Sequence, residues 1–149
     1  MSLTLLRLSA VLFTAVAMAA AFAHLLELPN KISLTREEYF TVQQIYRGWA
    51  LLGLVVVGAL VTTGIVAALV RGQPTEFYLT LAAALCIGLS LVIFFVFTYP
   101  ANQQTHNWTS LPANWETLRR QWEYSHATAA VLYFVALSAL TLSLLVSRD

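Results

Sequence analysis

Cysteine occurs once in 149 residues, at Cys86, which excludes an internal disulfide and any Cys-rich metal centre. Charge is almost as scarce: Asp, Glu, Lys and Arg make up 10% of the chain, against about 25% in an ordinary soluble domain. The 8 basic and 7 acidic residues give no field of one sign to steer a polyanion, so nucleic acid is excluded as a partner. Four prolines and six glycines leave no flexible linker and no low-complexity segment. What remains is 59% hydrophobic, with a mean hydropathy of +0.73. That composition rules out a soluble globule and a disordered chain, and puts the lipid bilayer first among partners.

Four charge-free apolar runs supply the architecture: Leu8 to Leu26, Gly48 to Val70, Phe77 to Tyr99 and Tyr124 to Ser147. Each is near the ~20 residues that cross a ~30 Å hydrocarbon layer, and an open sheet edge cannot face lipid. The expected spans are about 8–28, 49–70, 77–99 and 124–147, in one domain covering 1–149. The fold class is therefore all-α, an integral membrane four-helix bundle. Helices two and four should extend beyond the membrane on one face. Thr35-Arg36-Glu37-Glu38 reads as a capping box that starts helix two well before its apolar run. Asn114 is a plausible N-cap for helix four, with no Gly or Pro after it. Prolines are read as stops: Pro29 opens the first connection, and Tyr99-Pro100 ends span three. Small residues at Ala15, Ala19 and Ala23, and the pairs Gly64/Ala68 and Ala84/Gly88, mark expected packing faces.

Arg7, the apolar core and Ala21-Phe22-Ala23 resemble a cleavable signal, but the length of the apolar run predicts retention as a span. Both longer connections fall on one membrane face. That face carries Lys31, Arg36, Arg47, Arg119 and Arg120, against Arg7, Arg71 and Arg148 on the other. The raw count favours a cytoplasmic long-loop face, whereas Arg7 before the first span favours a cytoplasmic N-terminus. The expectation is a bacterial inner-membrane protein with its N-terminus inside.

Chemistry-bearing residues gather at the long-loop end. All three histidines (His24, His106, His126) and all four tryptophans (Trp49, Trp108, Trp115, Trp122) map there. The opposite end offers little beyond flanking charges. Span one closes with His24-Leu25-Leu26-Glu27 and span four opens with Glu123-Tyr124-Ser125-His126, each pair three apart on one helical face. If the two helices touch, His24, Glu27, Glu123 and His126 are a donor set suited to Zn, Fe or Mn. The same residues also read as interfacial His/Glu ties, and His24 with His126 as axial ligands of a haem. Trp115, Arg119, Trp122, His126, Ala129 and Tyr133 form one face of helix four. An Arg between two Trp is either a cation–π stack, an anion clamp, or an interfacial anchor. Tyr39, Gln43, Tyr46 and Arg47 form a polar face on helix two, read as a solvated extension, with the mouth of a cavity as the alternative. Asn102, Gln103, Gln104 and Asn107 form a polar cluster after span three.

Tyr99-Pro100-Ala101-Asn102, with the run Trp115-Glu116-Thr117-Leu118-Arg119-Arg120-Gln121-Trp122-Glu123-Tyr124-Ser125-His126, resembles small four-span membrane proteins of the anthrone-oxygenase-like family. The stretch Ala23 to Lys31 looks like a largely uncharacterised bacterial subgroup of it. The resemblance implies a four-helix membrane bundle and an oxygenase acting on a lipophilic aromatic without a bound cofactor. It carries Asn102, Trp115, Arg119, Trp122 and His126 over as site residues. Where many relatives place a basic residue soon after the final His, this chain has Ala127-Thr128-Ala129.

Two chemical expectations follow. In one, His126 is a general base, Arg119 and Asn102 assist, and Trp49, Trp115, Trp122 and Tyr133 wall an aromatic substrate. In the other, His24, Glu27, Glu123 and His126 hold a metal, or His24 and His126 a haem. A third reading is a non-catalytic membrane subunit, in a homo-oligomer or with another partner.

Overall fold

A computed structural model describes residues 2–147; Arg148, counted above for orientation, lies outside them. The helices are α1 (Leu3–Lys31), α2 (Arg36–Gln43), α3 (Leu52–Leu69), α4 (Pro74–Ile93), α5 (Tyr99–Gln104) and α6 (Trp115–Val146). Four helical segments are long and apolar enough to cross a membrane: Leu3–Lys31, Trp49–Leu69, Pro74–Gln104 and Trp115–Val146. Helix α1 packs on α3 and α6, and α4 packs on α3 and α6, so the four close into a bundle. Spans one and four are therefore neighbours.

The bundle interior is lined by small residues. Ala10, Ala17, Ala21, Ala59, Ala83, Ala130 and Ala136 are buried, while Leu12, Leu54, Leu85 and Leu145 face outward. In lipid there is no hydrophobic gain from hiding leucine, so close backbone approach decides which face turns inward. The inward stripe of α1 is Leu6, Ala10, Thr14, Ala17, Ala21 and His24, not the expected Ala15, Ala19 and Ala23. On α4 it is Glu76, Thr80, Ala83, Ile87 and Ser90, and Gly64 and Ala68 of α3 are exposed. Buried hydroxyls mark the true phase: Thr80 meets Ser143 at 3.1 Å, Ser90 meets Tyr133 at 2.8 Å, and Thr98 meets Ser125 at 2.7 Å.

Three expectations about helix ends are corrected. Helix α1 runs through Pro29 to Lys31. A proline in the last turn costs one backbone bond, and that single loss is tolerated. Span three likewise continues through Pro100 to Gln104, by way of a π turn at Phe94–Thr98. Widening the helix there relieves the clash between the proline ring and the preceding turn, and Gln121 donates to the Phe97 carbonyl at 2.7 Å. Helix two is not continuous. The capping box of Thr35 and Glu38 is present, but α2 ends at Gln43, and Gly48 takes φ +90° before the chain re-enters the helix leading to α3. The membrane end away from the long loops is also more than flanking charge: Arg7 is paired with Glu76, which is buried, and donates to Ser147 Oγ at 2.9 Å.

The Gly48 break sets a measurable cost. A Cβ there meets nothing within 4 Å, so only the left-handed backbone resists it. Gly48→Ala is expected to lose about 1 kcal/mol in detergent unfolding. Gly53→Ala, helical and equally open, is expected to be neutral or stabilising.

Candidate functional site

Because α1 survives Pro29, its last turns present His24, Glu27 and Lys31 at spacings of three and four, on one face. Helix α6 presents Arg119, Trp122, Glu123 and His126 opposite them. Helix α2 and the turn after it fold over the top, delivering Tyr39, Gln43 and Tyr46.

The centre of this arrangement is the Lys31 ammonium, 4% exposed. Its Nζ lies 3.0 Å from Glu123 Oε1 and 3.5 Å from Glu27 Oε2, and donates to the Tyr46 hydroxyl at 2.8 Å. An ammonium has three N–H donors, and three partners surround this one. It also sits over the rings of Tyr46 at 4.4 Å and Trp122 at 5.0 Å, which favours the cation further. Tyr39, fully buried, donates to Glu123 Oε1 at 2.9 Å and accepts from Gln43 Nε2. Tyr46 donates in turn to Glu27. Burial first, then the neighbouring Glu123 carboxylate, holds the Tyr39 phenol well above its ordinary range. Burial and then Glu27 do the same for Tyr46. Both stay protonated and act as donors.

Beside this network the two imidazoles touch. The rings of His24 and His126 have centroids 4.2 Å apart, and Trp122 packs on both, at 4.9 and 4.3 Å. Tyr46 and Trp49 close the other sides of His24, at 4.5 and 5.5 Å. Trp49 is 36% exposed and forms the outer edge. His24 Nδ1, Glu123 Oε2 and Gln43 Oε1 are buried without a hydrogen-bond partner.

A second layer fixes Trp122. Asn102 Oδ1 accepts from Trp122 Nε1 at 2.9 Å and from Trp108 Nε1 at 3.2 Å. Trp108 reaches that position through a left-handed run at His106, Asn107 and Trp108, with φ of 47°, 56° and 61°. Such a run costs roughly 1–2 kcal/mol per residue and persists only where contacts over-determine it. Thr105 supplies one, accepting from the Trp108 N–H at 3.1 Å, and burial of the Trp108 ring supplies another.

The site residues expected from sequence divide accordingly. His24, His126, Trp122, Trp49, Glu27 and Glu123 come together, and Asn102 supports them through Trp122. Arg119 and Trp115 form a separate stack: the guanidinium lies 4.6 Å from the Trp115 ring and 5.4 Å from Tyr39, and donates to the Leu34 carbonyl at 2.7 Å. Arg119 is two helical turns from His126, about 10 Å along the axis, and does not join it. Tyr133 lies about as far along the helix on the other side, inside the membrane against Ser90. The four-donor metal set is not assembled. Among the described residues no group of three or more His, Cys, Asp or Glu converges as a metal requires. Lys31 stands between Glu27 and Glu123, and the imidazole rings pack too closely for a macrocycle plane to lie between them.

Lys31, Tyr39, Gln43 and Tyr46 are the residues of this cluster that the sequence reading missed or undervalued. Tyr39 and Gln43 are buried rather than solvated; in that face only Arg47 is exposed. The signal for Lys31 was its spacing of four from Glu27 and seven from His24. The chain was compared with protein-family models, curated proteins and solved structures, and it matches none of them.

Two outcomes are expected. Lys31→Met leaves Glu123 buried without a counter-ion and should cost about 3 kcal/mol or more in detergent unfolding, while adding Glu123→Gln should recover most of that loss. At the start of α2, Thr35 holds the exposed Glu38 carboxyl below its usual value of 4.5. A depressed folded value means the capping box contributes above pH 4.5 and is lost as pH falls through that lower value. Hydrogen exchange at residues 35–39 should therefore rise in acid, and Glu38→Gln should abolish that dependence.

Proposed function

We propose that this integral membrane protein is an acid–base enzyme that takes a lipophilic aromatic substrate from the bilayer. His126 removes a proton from a phenol or activated C–H group, and His24 shares the load as the adjacent imidazole. The observation that carries this reading is the contacting His24–His126 pair, walled by Trp122, Tyr46 and Trp49 and open at the half-exposed Trp49 edge. A neutral imidazole is suited to proton abstraction near neutral pH, and aromatic walls suit a planar apolar substrate. Arg119 is held by Leu34 and Trp115 two helical turns from His126, and the three N–H groups of Lys31 are engaged, so neither bonds the developing anion directly; Lys31 contributes the field of its charge across the shared Trp122 ring.

The resemblance to anthrone-oxygenase-like proteins supplies the second half of the proposal. The substrate carbanion left when His126 removes the proton forms a C–O bond to dioxygen, the peroxide takes up a proton, and its O–O bond breaks as the remaining C–H proton leaves, so that one oxygen atom stays as a carbonyl and the other departs as water with no bound cofactor. Asn102 keeps its place in this scheme as the residue that positions Trp122. The protein is proposed to lie in a bacterial inner membrane with its N-terminus inside. Setting aside Lys31 and Arg119, which are buried and internally engaged, removes two of the five basic residues that argued for the opposite orientation.

A second reading, a non-catalytic subunit in a homo-oligomer or larger membrane assembly, is favoured by one observation: Lys31, Glu27 and Glu123 neutralise one another within the chain, as a purely structural tie would.

The test is oxygen consumption by the protein in lipid vesicles supplied with hydroxylated polycyclic aromatics. His126→Ala should lower kcat roughly 100-fold or more, and Arg119→Gln should change it far less. Turnover unaffected by His126→Ala would overturn the acid–base reading, and a stoichiometric protein partner with no turnover would establish the second.

A further inference from the structure

The hydrogen bonds around Lys31 form a directed chain. Tyr39 and Lys31 both donate to Glu123 Oε1, Lys31 donates to the Tyr46 hydroxyl, and Tyr46 donates to Glu27. Burial changes sharply along it. The Glu123 side chain is 0% exposed and that of Lys31 5%, whereas that of Glu27 is 37% exposed. One end is sealed in the bundle, and the other opens at the long-loop face.

We infer that Lys31, Tyr46 and Glu27 are a proton exit, carrying a proton from Glu123 in the buried site to that membrane face. The inference rests on the acid–base reading above, since an imidazole that takes protons from substrate must shed them between turnovers. The links from Lys31 to Tyr46 and from Tyr46 to Glu27 have the polarity the transfer needs, and the Glu123–Lys31 link reverses once Lys31 is neutral and Glu123 protonated. A hydroxyl can accept and donate at once, so as a Lys31 N–H proton passes to the Tyr46 oxygen, the Tyr46 O–H proton passes to Glu27 Oε2. Lys31 is left as a neutral amine. It recovers a proton from Glu123, which must first have been protonated from the imidazole side. The net change is one proton moved from Glu123 to Glu27, with no bond otherwise made or broken and no change of oxidation state. Glu27 then releases the proton to water. Tyr46 never needs to exist as a free anion.

The groups facing this chain are accounted for from every side. Helix α1 contributes His24, Glu27 and Lys31, α2 contributes Tyr39 and Gln43, the following turn contributes Tyr46, and α6 contributes Glu123 and His126. Arg119 lies 5.4 Å from the Tyr39 ring and donates to the Leu34 carbonyl rather than to the chain. Glu123 Oε2 has no partner, which leaves it free to receive a proton, and a half-turn of the carboxyl group then presents that proton to Lys31 in place of Oε1.

The exit can be tested without substrate. Full-length protein in vesicles of phosphatidylcholine is first acidified until Glu123 is protonated, then taken through a rapid upward pH jump, and the carboxylic C=O infrared band of Glu123 is followed, assigned by its loss in Glu123→Gln. Tyr46→Phe keeps the ring over Lys31 and deletes only the hydroxyl. The expected result is that the band decays about 100-fold more slowly in Tyr46→Phe, with its amplitude retained. Glu27→Gln, which removes the acceptor at the open end, should slow it similarly. Glu116→Gln, in the exposed pair with Arg120, should match wild type. Decay in Tyr46→Phe as fast as in wild type, or no Glu123 band that responds to the jump, overturns the exit. Because no aromatic is present, those results are independent of whether turnover is found. Turnover that His126→Ala abolishes, alongside unaltered Tyr46→Phe kinetics, would remove the exit and leave the acid–base site standing.

Discussion

A cation that cannot reach water has to be neutralised where it sits, and Lys31 imposes that demand on every element around it. In practice an unpaired ammonium in an apolar interior costs several kcal/mol. Its environment is correspondingly complete: a carboxylate on its own helix, another on α6, and a hydroxyl from the turn after α2. Each partner in turn fixes the element that bears it. Glu123 places the first turns of α6 against the last turns of α1, and Tyr39 and Tyr46 bring the segment between spans one and two back over the helix ends. The imidazole pair owes its contact to the same arrangement, since His24 and His126 lie about one or two turns from Lys31 and Glu123 on the two clamped helices. The site follows from an electrostatic necessity more than from hydrophobic packing.

The two ends of the bundle solve similar problems differently. At the far end Arg7 meets Glu76, with Ser147 and the Thr80–Ser143 pair nearby, a compact tie between α1, α4 and α6. That tie has no imidazole and no aromatic wall. At the long-loop end the charges are framed by Trp122, Tyr46, Trp49 and two histidines, and four buried polar atoms, on His24, Gln43, Arg119 and Glu123, have no partner. The far end also leaves one polar atom, Arg7 Nε, unpartnered, so the two ends differ in the aromatic enclosure and the imidazole pair.

How far the sequence was readable depended on which physical rule applied. The four spans were legible because length and hydropathy are fixed by bilayer thickness, and the clustering of His and Trp at one end followed directly from their positions. The capping box at Thr35 and Glu38 was legible because its spacing is specific. The inward faces were not, because helices apolar on all sides carry no amphipathic phase; the buried hydroxyls Thr14, Thr80, Ser90 and Ser143 were the usable markers. Reading Pro29 and Pro100 as stops was the costliest error, since the first hid the helical register of Lys31 and the second misplaced Asn102. The face of Tyr39 and Gln43 looked solvated because α2 was projected as a straight extension, whereas the glycine break at Gly48 folds it onto the site. Whether His24 and Glu27 meet Glu123 and His126 could not be read from the sequence, which left contact between spans one and four open, and the residue joining the carboxylates is an ammonium, supplied by a lysine counted only as a loop charge.

The distance in sequence between Lys31 and its buried counter-ion has a bearing on how the protein is made. Span one emerges from the ribosome before span four, which carries Glu123. Through most of synthesis, then, the end of α1 carries a charge whose final partner does not yet exist, and it can reside only near the lipid headgroups or water. The first span can tilt and slide until the fourth arrives, and the arrival of Glu123 would draw Lys31 down and lock both. The pairing of Lys31 with Glu123 thus ties the final seating of span one to the arrival of span four.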